Sequence, residues 1–327
     1  VGQQLGADLY LGPIYTWGTI GGRTDFYMWK PVFLDYSYNF AVRNFRHGSF
    51  GNVTKIDNTR QVKNSESFFS VAAGMPLAHR GVFLIRANGG HVNYRYDSDE
   101  LFADDTDHSR YSFFGIKAEL ARNTLDKFLY PRRGSDLKLS GIFVTGRDKY
   151  EPFDAKKFLS RTPRQWFGAR FTWDKYFDMP GCSWFSLGLN VDGVITNHPE
   201  FTTEGATVMS MPAYEPVPHA QMIYMPDFRG KRFAAGGVMP TFDLMPNFFL
   251  RTGFYAMFRE KRSFVPGVSG PVEDKRWHYI AEASLVYHTP IGPVSLALTK
   301  YDLRNWKNMY LTFNFGYAIF APKGTFY

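Results

Sequence analysis

"WHYIAEASLVYHTPIGPVSLALTKYDLRNWKNMYLTFNFGYAIF" (Trp277–Phe320) alternates large apolar residues with small or polar ones through three successive runs. In the last run Leu311, Phe313, Phe315, Tyr317 and Ile319 share one side, ahead of Phe320, while Thr312, Asn314, Gly316 and Ala318 share the other. A period of two marks a strand whose two faces meet different surroundings. The same pattern recurs upstream. Phe185, Leu187, Leu189 and Val191 alternate with Ser186, Gly188, Asn190 and Asp192; Phe167, Ala169, Phe171 and Trp173 with Gly168, Arg170, Thr172 and Asp174. Phe114, Ile116, Ala118 and Leu120 do the same, as do Leu34, Tyr36, Tyr38 and Phe40. A soluble sandwich would set Lys, Glu and Thr against bulk water on its polar face. Here that face is mostly Gly, Ser, Asn and Asp. Broad apolar residues outside and small polar ones inside are the arrangement of a transmembrane antiparallel β-barrel, an all-β fold.

Composition agrees. Of 327 residues, 44% are hydrophobic and 18% aromatic, yet no run of eighteen uncharged apolar residues exists to cross a membrane as a helix. No basic and then apolar leader opens the chain, so an export signal is expected to be removed or to lie outside it. The net charge of +8 comes from dispersed Lys and Arg. Without a basic stripe, nucleic acid is not an expected partner; outer-membrane lipids and lipopolysaccharide phosphates are. The single Cys182 excludes an internal disulfide and is read as a lone thiol in a turn. Tyr279, Tyr287, Tyr301, Tyr310 and Tyr317 fall near strand ends and are expected in aromatic girdles at headgroup level.

Strands are expected near 4–15, 26–42, 46–56, 67–76, 82–96, 111–122, 136–146, 165–176, 184–194, 233–242, 248–258, 277–287, 294–302 and 309–320, about fourteen in all. Long connections (57–66, 97–110, 147–164, 195–232 and 259–276) alternate with tight turns at Arg43–Phe45, Leu77–Gly81, Asp178–Ser183, Asp243–Asn247 and His288–Pro293. Such sorting is expected of an outer-membrane barrel with both termini periplasmic. The whole chain, 1–327, reads as one barrel domain.

Three stretches in order carry a family resemblance. "TLDKFLYPRRGSDLKLS" (Thr124–Ser140), through Asp126, Pro131, Arg132 and Gly134, resembles the Asp…Pro-x-x-Gly turn that leads into a strand of Omp85-superfamily barrels. "DFRGKRFAAGG" (Asp227–Gly237) ends the longest loop, and its Phe228-Arg229-Gly230 resembles the superfamily's Val/Ile-Arg-Gly-Phe/Tyr motif on the sixth extracellular loop. "YHTPIGPVSLALTKYD" with "FNFGYAIF" resembles the C-terminal end of patatin-linked barrels of the Bacteroidetes type. The resemblance implies sixteen strands, and a loop 195–232 folded into the lumen with Arg229 docked on the inner wall. It also implies a parent protein carrying N-terminal patatin-like phospholipase and POTRA domains that this chain does not contain, and the barrel-assembly machinery as a partner during insertion. The family's usual acidic partner is missing from "NFFLRTGFYAMF" (Asn247–Phe258), leaving Glu282 or Asp192 as lumenal candidates for Arg229. Independently of the family, a buried guanidinium needs a carboxylate or carbonyl partner, and Gly230 would permit close approach or a positive φ.

No catalytic site is expected in the chain. The nearest approach to a Gly-x-Ser-x-Gly nucleophile elbow is "GVSGP" (Gly267–Pro271), which lacks the last glycine. The acidic "DSDELFADDTDH" (Asp97–His108) could offer oxygen ligands to Ca²⁺ but lacks EF-hand spacing, and reads as a solvated loop. No cofactor is expected. Three functions follow as expectations: an outer-membrane anchor for a patatin-like hydrolase, an insertion or translocation barrel without hydrolase activity, or a porin-like channel.

Overall fold

The computed structural model describes residues 2–11, 15–27, 30–46, 61–97, 106–151, 160–179, 181–217, 220, 225–260, 276–290, 292–303, 309–316 and 323–325. Among them are fourteen strands: β1 (Gly2–Tyr10), β2 (Tyr15–Tyr27), β3 (Pro31–Arg46), β4 (Gln61–Leu77), β5 (Gly81–Asp97), β6 (Thr106–Asn123), β7 (Gly134–Glu151), β8 (Ser160–Met179), β9 (Cys182–Thr196), β10 (Arg232–Met245), β11 (Phe248–Arg259), β12 (Trp277–Thr289), β13 (Gly292–Tyr301) and β14 (Met309–Phe315). They form one sheet in strict sequence order, every neighbouring pair antiparallel. Among the described residues β1 and β14 do not pair with each other, so the sheet is not closed.

The count of fourteen matches the expectation, but through two compensating differences. β2 was not foreseen, because Gly21, Gly22, Arg23 and Asp25 interrupt its alternation. The glycine is a packing requirement: a Cβ on Gly21 would lie 2.3 Å from the Tyr36 carbonyl oxygen. The strand expected at 46–56 lies outside the described residues apart from Arg46, and the turn expected at Arg43–Phe45 is instead the end of β3. The sixteen strands implied by the resemblance are not reached among the described residues.

β5 to β8 are 17 to 20 residues long, well beyond the roughly ten that cross a bilayer. Their outer halves, such as Arg147-Asp148-Lys149-Tyr150-Glu151, carry charges where the sequence suggested loops. The ladder continues through these halves, as β6–β7 pairing does out to His108↔Glu151.

Connections sort by side. β4–β5, β8–β9, β10–β11 and β12–β13 are joined by two or three residues, with His79, Arg80, Asn247, Gly181 and Gly292 at positive φ. The opposite end carries the longer links, among them the stretch 197–231 between β9 and β10. One face of the sheet bears exposed apolar side chains: Ile116, Leu139, Phe167 (61%), Ile195, Leu311, Phe313 (69%) and Phe315. That is the face read as outward from the alternation. Tyr317, Ile319 and Phe320, expected on the same strand, lie outside the described residues, as do "GVSGP" and most of the acidic 97–108 stretch.

The opposite face departs from expectation. Small and polar residues are present, but so are buried Phe68, Tyr94, Tyr111, Trp166, Tyr176, Tyr255 and Tyr301. Tyr301, placed in a girdle by the sequence, is 1% exposed on this face. Its physical reason is a packing partner: the 197–231 stretch covers the inner face and excludes water from those rings.

The sheet curls around this filling. Between β6 and β7, Asp126 N donates to the Arg133 carbonyl at 3.1 Å, so only residues 127–132 project. Such a loop reaches about 10 Å. Yet the Tyr130 hydroxyl donates to Ser295 Oγ of β13 at 2.9 Å, and Arg132 Nη1 meets Asp243 of β10 at 2.7 Å. In a flat sheet with strands ~4.8 Å apart, β7 and β13 would be roughly 29 Å apart. Only a strongly curved wall brings them together.

Candidate functional site: the segment covering the inner face

Residues 197–231 leave β9, cross the inner face and return to β10. A threonine pair starts a short helix, α1 (Glu204–Ser210): the Thr203 side chain caps Ala206 N, and the Thr207 hydroxyl donates back to the Thr203 carbonyl. After α1 the chain doubles on itself. Tyr214 N donates to Phe228 O, Gly230 N to Pro212 O, and Ala213 bridges Arg229 in antiparallel fashion.

Two apolar clusters attach this segment to opposite parts of the wall. Phe201, Ala206 and Met209 pack with Phe68, Tyr94, Tyr111, Val144 and Trp166 of β4 to β8. Tyr214, Val217, Ala220 and Phe228 pack with Tyr176, Phe233, Tyr255, Ile280 and Tyr301 of β8 to β13. Phe228, from the sequence motif, stands edge-on to His278 (5.6 Å) and Tyr301 (5.8 Å), and so anchors the return limb on β12 and β13.

Arg229 is 8% exposed. Its Nη1 donates to the carbonyls of Met209 (2.9 Å) and Met211 (3.2 Å), and its Nη2 lies 3.9 Å from Glu215 Oε1. The guanidinium therefore closes the segment on itself at the C-terminal end of α1, where free carbonyls attract cations. Burial alone would raise the Glu215 carboxyl; Lys323, at 3.0 and 3.2 Å, and Arg229 outweigh it and hold Glu215 below its ordinary range. Gly230 has no positive φ, and a Cβ there would meet Arg259 Cβ at an ordinary 3.6 Å. Its glycine is not demanded by either route that the sequence suggested.

Asp192 and Glu282, the two wall carboxylates considered for Arg229, are engaged elsewhere. Asp192 receives a bidentate pair from Arg170 (3.1 and 2.6 Å), and Glu282 accepts from the Ser284 hydroxyl at 2.7 Å. Glu215, on the same segment as Arg229, is the acid at its side. The wall instead grips the segment with residues that sequence reasoning passed over. Arg170 Nη2 donates to Ala213 O (3.2 Å), and Arg259 Nη1 to Arg229 O (3.5 Å). Asp148 accepts from Thr202 N and Oγ1, both at 2.9 Å, and Tyr214 donates to Asn190 at 2.7 Å. A signal existed for the apolar contact: Trp166 falls on the small and polar side of its strand, where a large ring needs something to pack on.

At the other motif, Asp126 Oδ1 accepts from the amides of Arg132 (3.0 Å) and Arg133 (3.2 Å), folding the turn before β7. Gly134 takes φ +98°, and a Cβ on it would fall 2.2 Å from Thr124 O. Asp126 is exposed, so Asp126→Ala is expected to cost only about 1 kcal/mol. A small drop in the urea midpoint with an unchanged slope would fit; a loss of several kcal/mol would mean the turn nucleates the β6–β7 pair.

No protein-family model and no curated protein matches the chain. Among solved structures, it is similar to BamA from Haemophilus ducreyi lacking POTRA domains 1–3, with TM-score 0.61 and 12% identity over 95% of this chain and 63% of that one. It also aligns with CdiB from Acinetobacter baumannii (TM-score 0.33, 9% identity, 91% and 55% covered) and Pseudomonas aeruginosa OccK11 (TM-score 0.28, 12% identity, 94% and 90% covered). The BamA likeness shows a shared barrel-type fold. The chain spans less than two thirds of that relative's length.

Proposed function

We propose that this chain is an Omp85-type barrel integral to the Gram-negative outer membrane. In this reading it anchors, and helps place, an attached patatin-like lipid acyl-hydrolase domain. The observation that carries the membrane half is the sheet itself: an outer face of exposed Phe, Leu and Ile, and an inner face covered by residues 197–231. An apolar outer wall belongs in lipid, and a filled interior suits an anchor better than an open pore. The fold likeness to BamA supports the barrel class; of the three sequence motifs, the C-terminal one supports the patatin link. Lipid and lipopolysaccharide would surround the wall, and the barrel-assembly machinery would insert it.

Intact mass of the native protein, captured from purified outer membranes with an antibody to this barrel, tests the hydrolase. A mass far above 37.6 kDa, with peptides bearing a Gly-x-Ser-x-Gly elbow, is expected. A mass near 37.6 kDa would remove the enzyme from the proposal. The likeness to BamA favours a second reading, an insertion or translocation barrel, for which depletion would make unassembled outer-membrane proteins accumulate. The porin alternative is opposed by the covered inner face. In planar bilayers small or no steady conductance is expected, and large stable channels would overturn the filled-lumen reading.

A further inference from the structure

Where the covering segment meets β3 to β5, charged groups converge on a cavity of about 30 Å³. Arg43, Arg229 and Lys323 line it together with Glu66 and Glu215, three cationic groups against two anionic ones. Both carboxylates are already engaged. Glu66 Oε1 takes Arg43 Nη1 at 2.6 Å and its Oε2 takes Gly324 N at 3.0 Å, while Glu215 binds Lys323 through both oxygens. Arg43 is 4% exposed, yet its Nε and Nη2 find no acceptor among the described residues. The face of the Tyr15 ring, 5.1 Å from the guanidinium carbon, stabilises the charge without accepting those N–H bonds.

Buried donors left without acceptors cost free energy, and native proteins meet that cost with a water or an ion. Water would satisfy the donors but leave the excess positive charge. An anion satisfies both. The cavity has room for at least one or two water-sized species, which is enough for a halide. The Asn64 amide at the rim can turn either its oxygen or its NH₂ group inward without changing shape.

We propose that this cavity is a binding site for a small monovalent inorganic anion of chloride size, held by Arg43 Nε and Nη2 with Arg229 and Lys323 around it. The anion would tie three separate pieces of chain together: the wall strand β3, the covering segment through Arg229, and the C-terminal residues 323–325. Those residues are themselves fixed to the wall, since Asn88 donates to Gly324 O at 2.9 Å.

Crystals of the full chain in detergent, soaked in sodium bromide, test the site directly. An anomalous bromide peak within hydrogen-bonding distance of Arg43 Nε and Nη2 is expected. A map with no bromide there and ordinary water density would overturn the proposal. In solution, the half-life of the 197–231 segment against protease should be severalfold longer in sodium chloride than in sodium gluconate at equal ionic strength. That difference should vanish in Arg43→Met. Equal half-lives in the two salts for the unmodified protein would count against the site, whether or not the variant folds.

Discussion

Arg229→Ala is expected to release residues 197–231 from their closed form while leaving the fourteen-strand sheet assembled. The change deletes two hydrogen bonds from a charged donor, to the Met209 and Met211 carbonyls, and leaves Glu215 with Lys323 as its remaining close cation. Removing one partner from a buried charged network costs about 3 kcal/mol. At ~1.4 kcal/mol per tenfold, the open population rises roughly 100-fold. Proteolysis that samples a fast opening equilibrium reports that population, so cleavage within 197–231 should accelerate by a similar factor. Heat-modifiable gel mobility, which reports the intact sheet, should not change. Arg229→Lys keeps the charge but not the fork that reaches two carbonyls at once, and should fall between. Protection equal to wild type in Arg229→Ala would mean that the two apolar clusters alone hold the segment.

The division of labour behind that prediction explains what could be read from the chain beforehand. The outward face was legible because one requirement, an apolar side chain at every second position, falls on every strand: Phe114, Phe167, Leu311 and Phe313 repeat the same pattern whatever their neighbours. β2 was not, because Gly21 answers to close contact with β3, and Gly22 to contact with both β1 and β3, rather than to a solvent. The outer halves of β5 to β8 were hidden for a related reason. There backbone ladders hold the strands while many of their side chains are charged.

The covering segment divides the same way. Phe228 and Arg229 could be picked out because the motif, the loop length and the position before β10 all point to them. Glu215, Arg170, Asp148 and Arg259 could not. Glu215 and Arg170 stand alone in sequence while Asp148 and Arg259 sit in runs of mixed charge, and the role of each exists only once curvature brings distant strands against residues 197–231. Partner identity is the least legible level. The carboxylate beside Arg229 was sought on the wall, at Asp192 or Glu282, yet the wall acids are engaged by Arg170 and Ser284, and Glu215 lies on the segment itself.

Acidification supplies the second large effect, through His198. This residue follows β9 and is 1% exposed, its ring 4.5 Å from that of Trp166 and 5.4 Å from that of Phe201. Neither ring nitrogen makes a hydrogen bond of ordinary geometry among the described residues, and burial, aided by the positive charges of Lys231 and Arg164, outweighs a backbone contact at Pro199 and pushes its pKa down to about 3. A released imidazole titrates near 6.5. Between these values the released form binds a proton that the docked form refuses, so docking is fully stabilised above about pH 6.5 and weakens as pH falls. The loss is roughly 3 kcal/mol by about pH 4.5, an opening factor near 100. Glu215 does not confuse the reading: its carboxyl is held below its ordinary value of 4.5, so its own contribution is present above about that pH and is lost only on further acidification. Limited proteolysis of residues 197–231 across this window should therefore accelerate steeply toward acid in the wild type. His198→Phe keeps an aromatic ring against Trp166 and removes the titrating group, and its profile should be flat between pH 6.5 and 4.5. If the two profiles fall together, the acid sensitivity belongs to another group, and the buried imidazole is a packing residue whose charge the segment never has to expel.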